Sequence, residues 1–158
     1  MATKSVAHQI IDAIMTRLET IRIGDGFNTD AGWRVYWARR HVDAESIVVW
    51  RQNEAPDDPT RNTMQNRLTL SIEGHVDADQ ESTGQQLEYL LADIKKAVFL
   101  ATGESRYLIL DDVRLAVDLF PTGVNALARE DGDTTEAVQV LVDVQYPEQY
   151  GDPYKVFH

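Results

Sequence analysis

The chain has no cysteine. That absence removes disulfides, thiolate zinc sites and cysteine nucleophiles together, and leaves the redox compartment unconstrained. Long apolar runs are missing as well. Nothing approaches the ~20 apolar residues of a membrane helix, and Met1 to Ile14 is interrupted by His8, Gln9 and Asp12, unlike a signal peptide. The expectation is a protein made and used in the cytoplasm, without a membrane partner. Basic residues are few, 15 against 26 acidic ones for a formal charge of −11. Affinity for nucleic acid rests largely on neutralising phosphates, so this balance argues against wrapping DNA. A negative surface serves solubility, and it also lets nucleic acid pass without adhering.

Catalytic signatures are absent too. The four histidines, His8, His41, His75 and His158, stand far apart with no HExxH spacing to bind zinc. His75 is expected to face solvent. No GxSxG elbow occurs, and Gly24-Asp25-Gly26 lacks the preceding strand and further glycines of a phosphate loop. Asp77, Asp79, Glu81, Thr83, Gln85 and Glu88 match several ligand offsets of an EF-hand. Ser82, however, stands where the turn glycine is needed, and a strand rather than a helix precedes it. An acidic strand-to-helix loop that suits the helix dipole accounts for it better. Asp111 and Asp112 are strand neighbours that face opposite sides, so they cannot share a proton or a metal. No cofactor, metal or catalytic residue is expected.

What is present reads as an ordinary globular chain. With 158 residues, 43% hydrophobic and 26% charged, it suits one α/β domain, placed at residues 1–146. The tail 147–158 is expected to pack on that domain or on a neighbouring subunit. From Ser5 to Ile21, the residues Ala7, Ile10, Ile11, Ile14, Met15, Leu18 and Ile21 fall within roughly 140° of a helical wheel. Ser5 is the expected N-cap and Gly24-Asp25-Gly26 the expected stop. Trp33, Val35 and Trp37 alternate as a strand with tryptophans toward the core. Ile47 to Trp50 reads as its hairpin partner.

Pro56 and Pro59, around Asp57 and Asp58, predict a protruding loop from Gln52 to Asn62. Met64, Leu68, Leu70, Ile72 and Val76 share one parity, interrupted by Asn66 and Gly74, and predict a strand with one buried face. A second helix is expected from Ser82 to about Leu100, with a core stripe of Leu87, Leu90, Leu91, Ile94, Ala97 and Val98. Ser82 and Gln85 have capping-box spacing. Tyr89 and Phe99 lie off the stripe and are expected to cover loops. Strands follow at Asp111 to Phe120 and Thr135 to Tyr146, separated by a polar loop from Pro121 to Asp133. The fold class expected is α+β: two layers, a mostly antiparallel or mixed five-stranded sheet, and two helices on one face.

The opening, His8-Gln9-Ile10-Ile11-Asp12-Ala13-Ile14 through Arg17-Leu18-Glu19-Thr20-Ile21 to Gly26-Phe27-Asn28-Thr29-Asp30-Ala31-Gly32, resembles the start of tail terminator proteins of long-tailed bacteriophages. These are also called tail completion or minor tail proteins. The resemblance implies a structural subunit of the virion neck, assembled in the host cytoplasm. As a hexameric ring it would cap the tail tube, stop its growth and join the tail to the head connector. Its implied partners are further copies of itself, the tail tube protein and a connector or stopper protein, with genome DNA passing through the channel unbound. Other neck components, a small binding module unrelated to phages, and a metal-dependent enzyme are the alternatives.

Interface residues are expected in the double-proline loop, Asn53, Asp57, Asp58 and Arg61, and in the aromatic tail, Tyr150, Tyr154 and Phe157. Arg34 is added from an aromatic and basic cluster with Trp33, Tyr36, Trp37, Arg39 and Arg40. That cluster could stack on single-stranded nucleic acid, but the acidic balance favours pairing with a neighbour's acidic loops.

Overall fold

The computed structural model describes residues 2–59, 63–78, 81–99, 108–110, 113–116, 118–128 and 132–156. Helix α1 spans Val6–Leu18 and α2 spans Thr83–Phe99. The strands are β1 (Val35–Trp37), β2 (Ser46–Pro59), β3 (Thr63–Asp77), β4 (Leu108–Leu110), β5 (Val113–Ala116), β6 (Asp118–Leu127) and β7 (Thr135–Gln149). Five of them form one mixed sheet in the order β1-β2-β3-β7-β6, and β4 and β5 form a separate two-stranded ribbon. This is the expected α+β class, with a small accessory ribbon added.

Both helices close over one face of the sheet. The apolar stripe of α1 (Val6, Ile10, Ile14, Leu18) and that of α2 (Leu90, Ile94, Val98) join Leu68, Leu70 and Ile72 of β3 and Val140, Val142 and Val144 of β7 in one core cluster. Period-two burial on β3 and β7 meets period-3.6 burial on the helices, which is what a two-layer domain requires. Gly74 interrupts the apolar parity of β3 for a steric reason. A Cβ there would lie 2.8 Å from Leu90 Cδ2 and 3.0 Å from Ile94 Cδ1, so its absence lets α2 settle on the strand.

The Ser5 hydroxyl accepts from the His8 amide at 3.2 Å, the expected N-cap. The helix stops earlier than expected, at Leu18, and Gly24-Asp25-Gly26 does not end it. Ile23–Asp25 is a separate 3-10 turn, and Gly26, at φ 89°, closes that turn. At the start of α2, Gln86 rather than Gln85 reaches back, its Nε2 donating to Ser82 Oγ at 2.9 Å.

Three strand expectations are corrected. Val35–Trp37 pairs with Ile47–Val49 in parallel, so the two strands are not a hairpin; residues 38–45 carry the chain back along the sheet before β2 begins. The segment beyond Gln52 is no free loop: β2 continues to Pro59 and forms a long antiparallel hairpin with β3. Pro121 likewise does not begin a loop, since β6 runs on to Leu127 against β7. The prolines are tolerated because they fall on the open edges of the sheet, where no neighbouring strand needs their missing N–H. Asp111 and Asp112 lie outside the described residues.

Candidate assembly interface

The resembling segment is built around a buried carboxylate. Asp93 of α2 is 1% exposed and receives the Asn28 amide at 3.0 Å and 3.1 Å, the Asn28 side-chain amide at 3.2 Å, and the Thr29 amide and hydroxyl at 2.8 Å each. Asp30 Oδ1 accepts from the Ile23 amide at 2.9 Å. Gly32 donates to the Ile21 carbonyl at 2.9 Å, and any Cβ on it would stand 2.5 Å from that same oxygen. The Gly-Phe-Asn-Thr-Asp-Ala-Gly run is thus a clamp that ties the chain after α1 to the flank of α2.

What the clamp displays is aromatic and cationic. Trp33 is 68% exposed and Ile23 58% exposed, and the Arg22 guanidinium lies over the indole at 3.7 Å from its centroid. The expectation of core tryptophans on one strand face is overturned. Trp33 precedes β1 in a short 3-10 turn, free of the strand's alternation, and Trp37, at the outer end of β1, is 43% exposed. Arg22 Nε is shielded from water without a hydrogen-bond partner among the described residues. Arginine and tryptophan together, held on a rigid base, are the composition of protein-interface hot spots.

A second exposed aromatic group lies at the far end of α1. After β7 the chain turns through Tyr150–Tyr154, with Gln149 bridged to Asp152. The Pro153 carbonyl accepts from the Val6 amide at 2.8 Å, while Val156 packs against the core. This folds the backbone onto the start of α1 and leaves Tyr150 62% and Tyr154 54% exposed. Beneath the turn is a cleft of about 380 Å³ lined by Glu54, Asn66, Tyr146, Glu148 and Pro153, among others. Tyr146 donates its hydroxyl to Glu54. Burial pushes the Glu148 carboxyl above the usual range, and Glu54 and Asp152 push it further, against the opposing hydrogen bond from Asn66. Asn66 therefore breaks the apolar parity of β3 because it serves this polar cluster.

The other expected interface residues are spread out. Asn53 is exposed beyond the first irregularity of β2. Asp57 is occupied within the chain, accepting from Arg67 Nη2 and from Gln145 Nε2 at 3.0 Å each. Arg34, at the opposite end of the sheet, donates to the Ala44 carbonyl and holds the 38–45 segment. Arg61, Phe157 and the side chain of Asp58 lie outside the described residues. His75 does not face open solvent: its ring is 13% exposed and bridges Thr135 at 3.2 Å and Glu73 at 3.1 Å. It lines a cleft of about 340 Å³ with Arg39, Arg40 and His41. Among the described residues, no group of three His, Asp or Glu is placed to hold a metal ion, and no helix is long and apolar enough to cross a membrane.

Backbone geometry restricts how such a surface can associate. The Ile47 amide donates to Arg34 at 2.8 Å and the Val49 carbonyl accepts from Ala38 at 2.9 Å, so odd residues of β2 face away from β3 at that point. The register slip between Arg51 and Asn53 hands the outward role to Glu54 and Pro56, and the slip between Pro56 and Asp58 returns it to Pro59. Counting on through β3 and β7 places Pro121 outward on β6. Pro56, Pro59 and Pro121 each remove a donor from an open stretch of β2 or β6, and both strands also carry a register slip. Strand β1 guards its edge by being only three residues long. These features block strand addition. Contacts with other molecules are left to side chains.

No family model matches the chain, and no curated protein matches it. Among solved structures it is similar to a chain in the virion of a native gene transfer agent particle, with 18% identity, a TM-score of 0.49, and coverage of 89% of this chain and 90% of that one.

Proposed function

We propose that the protein is a structural tail terminator: a ring-forming subunit that caps a phage tail tube, stops its elongation and joins it to the neck. The observation that carries this reading is the clamp at Asn28, Thr29 and Asp93. The segment that resembles the terminator family is a rigid mount for an exposed Arg22–Trp33 pair. A surface of that kind suits association with protein through side chains, and the guarded edges of β2 and β6 disfavour open-ended strand addition. The ring symmetry implied by the resemblance is sixfold. Acidic side chains turned toward its channel would let DNA slide through.

The test is to mix the purified protein with tail tubes and examine their ends by electron microscopy, with light scattering on the protein alone. Rings at tube ends and tubes of arrested length are the expected result. Protein that leaves tube growth unchanged overturns the reading, and attachment to the head connector instead of the tube would make it the adjoining neck component.

A further inference from the structure

Two exposed aromatic patches sit at opposite ends of one helix. The Arg22–Trp33 patch, with Ile23, follows the C-terminus of α1, and the Tyr150–Tyr154 turn is hydrogen-bonded to Val6, the first residue of α1. The 13 residues of the helix set the patches about 20 Å apart at 1.5 Å per residue, so they cannot meet within one chain. They are also chemically unlike. One carries a guanidinium over an indole. The other carries two tyrosines flanking Asp152, a carboxylate 31% exposed.

We infer that these patches are the two halves of one head-to-tail contact: the Tyr150–Tyr154 turn of one copy docks on the Arg22–Trp33 patch of the next. Charge complementarity selects the occupant. The Arg22 guanidinium brings a positive charge to the face of Trp33, and Asp152 brings a part-exposed carboxylate between the aromatic groups most able to cover that indole. Its only described cation is Lys155, at 3.5 Å. Distinct donor and acceptor patches produce a heterologous contact, which closes into a ring when the rotation between copies permits. The inference rests on the ring reading above and adds the residues that join its subunits.

The absence of cysteine makes a clean test available. Gly24 is exposed, with nothing within 4 Å of an added Cβ, and Gln149 is exposed beside the tyrosine turn. Under oxidising conditions the Gly24→Cys/Gln149→Cys variant should give a ladder of disulfide-linked oligomers on a non-reducing gel, whereas each single variant stops at dimers. Adding Trp33→Ala should abolish the ladder. Arg22→Glu should weaken assembly of the cysteine-free protein at least tenfold, and Asp152→Arg in the same chain should recover most of it. Assembly that proceeds unchanged in Arg22→Glu and Trp33→Ala, with no ladder, overturns the contact but leaves the ring standing. A wild-type chain that stays monomeric on its own and on tail tubes overturns both.

Discussion

Asp93 and Glu148 are both carboxylates withdrawn from water, 1% and 8% exposed, and the fold treats them in opposite ways. Asp93 has both oxygens filled by amides and a hydroxyl from Asn28 and Thr29, so desolvation is compensated bond by bond. Glu148 sits among Glu54 and Asp152 with Asn66 as its opposing donor, and its proton is held above the usual carboxylate range. The first site makes a stiff mount for Trp33. The second leaves the support of the Tyr150–Tyr154 turn electrostatically strained. Two patches of similar exposure therefore differ in how firmly they are held, and the terminal turn is the side expected to adjust when copies meet.

Removing the compensation should have the largest effect. Asp93→Ala strands the Asn28 and Thr29 donors, and we expect a loss on the order of 3 kcal/mol or more in denaturant unfolding; a loss below about 1 kcal/mol would mean that the clamp is ornamental. Gly32→Ala attacks the same region by crowding, since its Cβ would stand 2.5 Å from the Ile21 carbonyl and 2.7 Å from that of Glu19. We expect about 1–3 kcal/mol lost, with Trp33 fluorescence altered before global unfolding.

Glu148→Gln should give the smallest change, with the opposite sign. An amide keeps a hydrogen bond to Asn66 and removes the buried charge, raising the melting temperature by about 2–4 °C at pH 7. Because folded Glu148 keeps its proton to higher pH than the unfolded chain, its favourable contribution is full below the unfolded value of 4.5. It is lost as pH rises through the folded value. The gain from Glu148→Gln should therefore vanish in acid, and a gain of equal size at pH 4 would remove Glu148 as its source. Glu45 is raised in the same direction by burial and by Asp30 and Asp93, so some pH dependence will survive the substitution.

The parts of this fold that were legible in the chain are those where burial alone decides. The helix stripe from Leu90 to Val98 and the parity of Leu68, Leu70 and Ile72 read directly, because one face of each meets the core. Pro56, Pro59 and Pro121 misled because a proline forbids a central strand but not an edge, and the partners that decide which is which are remote in sequence. The parallel pairing of β1 had no local signal either: residues 38–45 look like any polar connection. Trp33 fits the strand's alternation in the sequence, but the strand begins only two residues later, at Val35. Asp93 carries a sequence hint in its position, three residues after Leu90 and one before Ile94 on the buried arc of α2. A carboxylate there demands donors, and Asn28 and Thr29 supply them.

The ladder between β3 and β7 joins residues 63–77 to 135–149 in unbroken register, with α2 and the β4–β5 ribbon intervening in the chain. Such remote pairing makes for slow folding, because the loop must close before the contacts repay it. The β2–β3 hairpin can form first, and until β7 arrives it offers the inner edge of β3, a strand with no proline. The outer edges carry their guards permanently, but this one is protected only by completion of the fold. It is therefore the place where nascent chains at high concentration are most apt to join one another before any ring is built.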